Sequence, residues 1–229
     1  MRFLTAAFLS LSLGFSFAAS GMAADNALTD AEKAEGWKLL FDGTATTGWV
    51  NRDKTDLKNW KAIDGAFVRE GGGGDAVYSA EQFENFVLSL DWKIADKGNS
   101  GVFIRLSSLK DWINTGMEVQ VLDVNEAGEM SRPSHVAGAL YDVVVPNADA
   151  PKMKTGEWNH FDITCDGPKI SCKMNGALTF AIDVTEEKWQ KPQGKFKLPY
   201  GTLPRKGYLM LQDHGQKVEF KNIKIKPLP

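Results

Sequence analysis

Asn99-Ser100-Gly101-Val102-Phe103-Ile104-Arg105 and Gly116-Met117-Glu118-Val119-Gln120-Val121-Leu122-Asp123 decide the fold. β-Branched and aromatic residues dominate both stretches, and Gly or Asn bounds them, so both are predicted strands. Side chains alternate between the faces of a strand. Val119 and Val121 therefore point one way, and Glu118 and Gln120 the other. By the same count Phe103 and Arg105 share a face, opposite Val102 and Ile104. One face is core. The other carries a carboxylate, an amide and a guanidinium, a set that on a rigid sheet suits polyol recognition or acid/base chemistry. The plainer alternative is a solvated sheet face with an Arg105–Glu118 cross-strand pair. Spacing alone leaves both open.

The same period runs outward in both directions. Trp60 to Val68 forms a hairpin with Asp64-Gly65 at its tip. Phe86 to Ile94 places Leu88, Leu90 and Trp92 on one face. Trp158 to Cys165 turns Phe161, Ile163 and Cys165 inward, and His160, Asp162 and Thr164 outward. Ile170 to Met174 answers it across Gly167-Pro168, and Asn175-Gly176 makes the next turn. Gly207 to Gln212 and Val218 to Lys226 close the chain. Gly138 to Val145 is expected to re-enter the sheet. Gly71 to Gly74 lacks a following Lys-Ser/Thr, so it is no phosphate cradle. Helix is confined to Thr29-Asp30-Ala31-Glu32, a capping box, and a turn in 186–191. Residues 186–206 form a long loop or partial lid. Strands with turn signals every ~8–12 residues, and no repeat or linker, predict one all-β sandwich of two antiparallel sheets, a jelly roll.

The first 23 residues are expected to be a secretory signal and not part of that domain. Arg2 precedes the apolar run Phe3 to Ala19, and small residues follow before a cut after Ala23, or after Ala24. No Cys stands at the cut, against a lipid anchor. The expected product is periplasmic or secreted, with one domain over 24–229 and no further membrane span. The formal charge is −2 over the whole chain, so losing Arg2 makes it −3. Near neutrality without a basic block argues against nucleic acid as partner. With 7 Trp, rings are available to stack on sugar, although most belong in the core. Cys165 and Cys172 fall diagonally across their hairpin, a long reach for a disulfide, so a bond and two free thiols both remain open.

Gly36-Trp37-Lys38-Leu39-Leu40-Phe41-Asp42-Gly43 with Gly48-Trp49 resembles the opening of the DUF1080 family. The two central stretches, Gly138-Ala139-Leu140-Tyr141, Gly156-Glu157-Trp158-Asn159 and Leu211-Gln212-Asp213-His214-Gly215 are similar to its later blocks, in order. The family is described as 3-keto-disaccharide hydrolases, also as 3-keto-glucoside 1,2-lyase and 3-keto-2-hydroxy-glucal hydratase domains. The resemblance implies a concanavalin A-like lectin/glucanase jelly roll acting on a small oligosaccharide or glycoside.

A ketone at C3 acidifies the C2 proton, so a base can remove it and the C1 substituent leaves by β-elimination. Water then adds to the glycal. The step needs a carboxylate or His as base and an electrophile for the enolate oxygen. Glu118, Asp123 and His135 are the candidate catalytic groups. Arg105, Gln120, Tyr141 and Gln212 are the candidate substrate contacts. A divalent metal would serve as electrophile, with Glu118, His135 and His214 as ligands, although no HxH or HxxxH spacing supports it. Asp123 has the wrong parity and reaches the site only if its strand bulges or ends.

Two other functions compete. A retaining glucanase on this fold carries Glu-x-Asp-x-Glu or its bulged form; Glu118, Gln120 and Asp123 have the bulged spacing but lack the central acid and the second Glu. A noncatalytic lectin-like module needs only aromatic and amide groups on a sheet face. It would not need a perturbed acid in a partly closed site.

Overall fold

The two central stretches pair with each other, antiparallel, in a computed structural model that describes residues 24–229. The expected signal, residues 1–23, lies outside the described residues. In chain order the first strands are β1 (Lys38–Leu39), β2 (Trp49–Asn51), β3 (Trp60–Ile63), β4 (Ala66–Arg69), β5 (Ala76–Phe83) and β6 (Phe86–Ile94). Then follow β7 (Asn99–Leu106), β8 (Met117–Leu122), β9 (Asn159–Asp166), β10 (Lys169–Met174), β11 (Ala177–Asp183), β12 (Gly207–Leu211) and β13 (Val218–Pro227). The larger sheet runs β11-β10-β9-β6-β13-β4-β3, with β1 added on β13, and the smaller runs β2-β5-β12-β7-β8. Every pairing is antiparallel. This is the jelly-roll sandwich that the alternation predicts.

The core lies between the sheets. Leu88, Leu90, Trp92, Phe161 and Ile163 from the larger sheet meet Val119, Val121 and Leu211 from the smaller. All eight are buried. Each contributes about 1.5–3 kcal/mol by leaving water. Trp189, Phe196 and Tyr200 of the long segment 186–206 also enter this core. The segment is therefore pinned at three points. Helix is sparse: α1 (Asp30–Ala34) carries the expected Thr29–Glu32 capping box, and α2 (Trp112–Thr115) and α3 (Ala127–Met130) are single turns. The turn expected in 186–191 is a 3-10 turn at Glu187–Gln190.

Two local readings change. Residues 142–145 are not a strand. Asp142 has φ +61°, which turns the chain, and only single bridges link Leu140 to Val119 and Val144.

Arg105 leaves the face predicted for it. Met210 pairs with Phe103 and Tyr208 with Leu106, so Ile104 and Arg105 together oppose Leu209. The extra residue is a bulge, and Arg105 takes φ +50° there. A bulge breaks the period of two, so parity counted through it fails. The buried guanidinium donates to Glu84 O at 2.9 and 3.1 Å and to Gly167 O at 2.8 Å. Arg105 clamps two loops and forms no pair with Glu118.

The Gly167-Pro168 turn has the expected register, with Cys165 opposite Ile170 and Cys172 opposite Ile163. Both thiols are free and buried, and burial pushes each up to about 12. A thiolate-directed reagent should therefore leave native protein unlabelled over minutes and label both cysteines after denaturation. Rapid labelling of the native protein would contradict this burial.

Candidate active site

The outer face of the smaller sheet carries the site. Glu118 on β8 lies directly opposite Phe103 on β7, and Gln120 opposite Gly101. Gln212, just past β12, donates its N–H to Gly101 O at 2.9 Å. Gly101 is required by space. A Cβ there would lie 2.2 Å from Glu118 Oε1, so the carboxylate fills the room a side chain would take. Gly101→Ala should displace the Glu118 carboxylate by about 1 Å and lower kcat ~10²-fold with little change in melting temperature. Steady-state kinetics beside a thermal melt check this.

Glu118 is 4% exposed. Burial pushes its carboxyl up to about 8, Asp75 and Glu129 add to the shift, and the Lys195 charge opposes it. No hydrogen bond contributes to holding it ionised. A cavity of about 430 Å³ opens above it, walled by Phe103, Trp112, Lys195, Gln212 and His214. In its wall, Asp75 Oδ2 pairs with Arg52 Nε at 2.9 Å, and Arg52 sits 5.3 Å from the Trp112 ring centre.

Lys195 comes from the long segment 186–206. Its backbone N–H donates to Asp142 Oδ2 at 2.6 Å, and its ammonium lies 4.3 Å from the Tyr141 ring centre. Asp142 in turn holds His135 Nε2 at 2.7 Å, and His135 Nδ1 bonds Glu129. The buried His135 ring lies 4.2 Å from the Tyr141 ring, tilted by 41°. Tyr141 donates its hydroxyl to Glu129 Oε2 at 3.2 Å and its N–H to Glu118 O at 2.9 Å. These groups form a clamp beside Glu118 that fixes where Lys195 starts.

Of the residues singled out in the sequence, Glu118, Gln212 and His214 border one cavity. Gln120 lies on the same face, fully buried, with Nε2 on Asn99 Oδ1 at 3.2 Å. The Oε1 atoms of Gln120 and Gln212 have no protein partner. His135 and Tyr141 form the clamp and do not wall the cavity. Asp123 is fully buried: β8 ends at Leu122, and Asp123 accepts from Lys97 N at 2.8 Å, Asn125 N at 3.1 Å and Thr155 Oγ1 at 2.6 Å. It ties loops together and does not join Glu118. Lys195, Trp112, Arg52 and Asp75 went unpredicted. Trp112 sits in a short helical turn, outside any strand pattern, and packs against Phe103 of the smaller buried cluster.

The metal set Glu118, His135 and His214 is not assembled. Both nitrogens of His135 are engaged by carboxylates, and His214 is exposed at the rim. Among the described residues no three His, Cys, Asp or Glu side chains converge as a metal would require. The donor set does not fit a divalent ion.

The chain is 27% identical over 233 residues to the 3-keto-disaccharide hydrolase of Bacteroides thetaiotaomicron, covering 85% of this chain and 79% of that protein. A provisionally named glycosyl hydrolase of Parabacteroides distasonis ATCC 8503 superposes with TM-score 0.78 at 33% identity, over 90% of this chain and all of that one. A second such structure from that strain gives TM-score 0.72 at 30% identity, over 84% of this chain and 99% of the other. Residues 36–226 match the 3-keto-alpha-glucoside-1,2-lyase-like domain. That span takes in both sheets and the cavity over Glu118, and the chain belongs to this family.

Proposed function

We propose that this protein is a carbohydrate-active enzyme that cleaves the glycosidic bond of 3-keto-glycosides by C2 deprotonation and β-elimination, followed by hydration. The observation that carries the reading is Glu118, a buried carboxylate pushed up to about 8 at the floor of an open cavity. A carboxylate of raised pKa is a stronger base, which suits a carbon acid activated only by one ketone. A sheet face built merely to bind sugar has no need of it.

In this reading Glu118 removes the C2 proton and the electron pair moves toward the C3 oxygen. The Lys195 ammonium meets the developing negative charge. The pair then returns to form the C1–C2 double bond as the C1–O bond breaks. His214 gives a proton to the departing oxygen. Water adds at C1 and gives its proton back to His214, C2 recovers a proton from Glu118, and the product is the free 3-keto sugar. Trp112 offers its face to the ring. The amide of Gln212 meets hydroxyls. Export, inferred from the leader in residues 1–23, would place this chemistry in the periplasm or outside the cell.

Turnover of a 3-keto-glucoside by purified protein tests the reading. Release of the aglycone with a transient enone supports it. Saturable binding without release would mark a lectin-like module instead.

A further inference from the structure

A second cavity, of about 450 Å³, adjoins the one over Glu118. Arg52, Gly74 and Asp75 line both. Arg52 is the partition. Its Nε pairs with Asp75, its Nη1 donates to Leu109 O at 3.2 Å, and its plane lies over Trp112. The glycine loop 71–74 makes the other wall and is held in place by Asp213, whose Oδ2 accepts from Gly73 N at 3.2 Å and Gly74 N at 2.9 Å. The loop is thus a built edge shared by the two cavities.

The lining is cationic. Lys54 and Lys110 stand at its edge with no ion pair among the described residues. Of its two carboxylates Asp75 is paired with Arg52, while Asp53, which accepts from Thr55 N at 3.0 Å and Thr55 Oγ1 at 2.5 Å, keeps its charge, so the basic side chains Arg52, Lys54 and Lys110 outnumber the acids by one. Asn51, 5% exposed, also lines it, and its Oδ1 has no partner. The cavity therefore offers free positive charge, an amide acceptor and a size that holds a single saccharide unit.

We propose that this second cavity is the leaving-group subsite and that it takes an acidic saccharide, a unit bearing a carboxylate or sulfate. The proposal rests on the elimination reading, which puts the 3-keto ring over Glu118. The unit across the C1–O bond is then placed past Arg52 and Asp75, the residues that the two cavities share. An anion there meets Lys54 and Lys110, which are exposed and hence screened by salt.

The test compares two 3-keto-glucosides of the same linkage, one with glucuronic acid and one with glucose as leaving unit. At low ionic strength kcat/KM should favour the acidic substrate about 10-fold. At 0.5 M salt the preference should shrink toward unity. In the double variant Lys54→Glu with Lys110→Glu, the ratio should fall below one. Equal kcat/KM for the two substrates at low salt, or a ratio indifferent to both salt and charge reversal, overturns the proposal. If the variant does not fold, the salt dependence of the wild-type ratio decides alone. If wild-type protein turns over neither substrate, the elimination reading has failed. The subsite is then judged by calorimetry with the two unoxidised disaccharides, where tighter binding of the acidic one supports it and equal binding overturns it.

Discussion

Glu118→Gln should lower turnover of a 3-keto-glucoside ~10²–10⁴-fold and, at pH 8, make the protein more stable. The two effects have one cause. Burial raises the Glu118 carboxyl from 4.5 to about 8 in the folded chain. The folded state then binds a proton that the unfolded state has released, so stability falls as pH rises through that window. Below pH 4.5 both states are protonated and wild type suffers no penalty. Above pH 8 both are ionised and the full cost of the buried charge is present. Gln does not titrate, and it keeps shape and volume. Its advantage should be absent at pH 4.5, grow through pH 6 and level off above 8, reaching about 2–4 kcal/mol, the water in the cavity holding it below the full value. That corresponds to a melting temperature higher by ~5–15 °C. Thermal melts at three pH values check it. A variant less stable than wild type at every pH would make Glu118 a structural partner. The rate should show the opposite pH trend. A base works only when ionised, so kcat/KM of wild type should climb as pH rises toward 8.

Lys195→Met should cost ~10²–10³ in kcat, the loss expected when a donor to a developing oxyanion is removed. It should also move the acidic limb of kcat/KM upward, because the Lys195 charge is the one influence that lowers the Glu118 pKa. Lys195→Arg should leave the limb near its wild-type position. Lys195 is exposed, so the melting temperature should hardly change in either variant. A pH–rate profile with an unmoved limb in Lys195→Met would separate Lys195 from Glu118. The buried clamp of Asp142 and His135 explains how an exposed lysine keeps its place: the backbone of residue 195 is bonded to Asp142, and Phe196 is sunk in the core.

The sandwich and the Glu118 face were legible because period-two patterning survives in β6, β7, β8 and β9. Leu88-x-Leu90-x-Trp92 and Val119-x-Val121 can face the core in only one register. What alternation could not give was the effect of a residue out of period. Arg105 sits in a bulge, and counting parity through the bulge put it beside Glu118. Asp123 lies one residue beyond its strand, where parity ends. His135 carried the right chemistry, but its two carboxylate partners, Glu129 and Asp142, come from irregular segments with no pattern to read. Lys195 is one lysine among several in a charged loop, and the burial of Trp189, Phe196 and Tyr200, with the bond from Lys195 N to Asp142, brings that loop over the sheet. Residues on unbulged strands could be placed from the sequence, whereas Arg105 in its bulge and Lys195 in its loop could not.

Exchange at C2 tests the central claim most directly. A 3-keto sugar lacking the C1 substituent cannot eliminate, so a base acting at C2 can only exchange that proton with solvent. In D₂O, wild-type protein should introduce deuterium at C2, detected by NMR, at a rate that rises toward pH 8. Glu118→Gln, folded by circular dichroism, should exchange ~10²–10⁴-fold more slowly. No exchange with wild type, or equal exchange with the variant, would contradict Glu118 as the base.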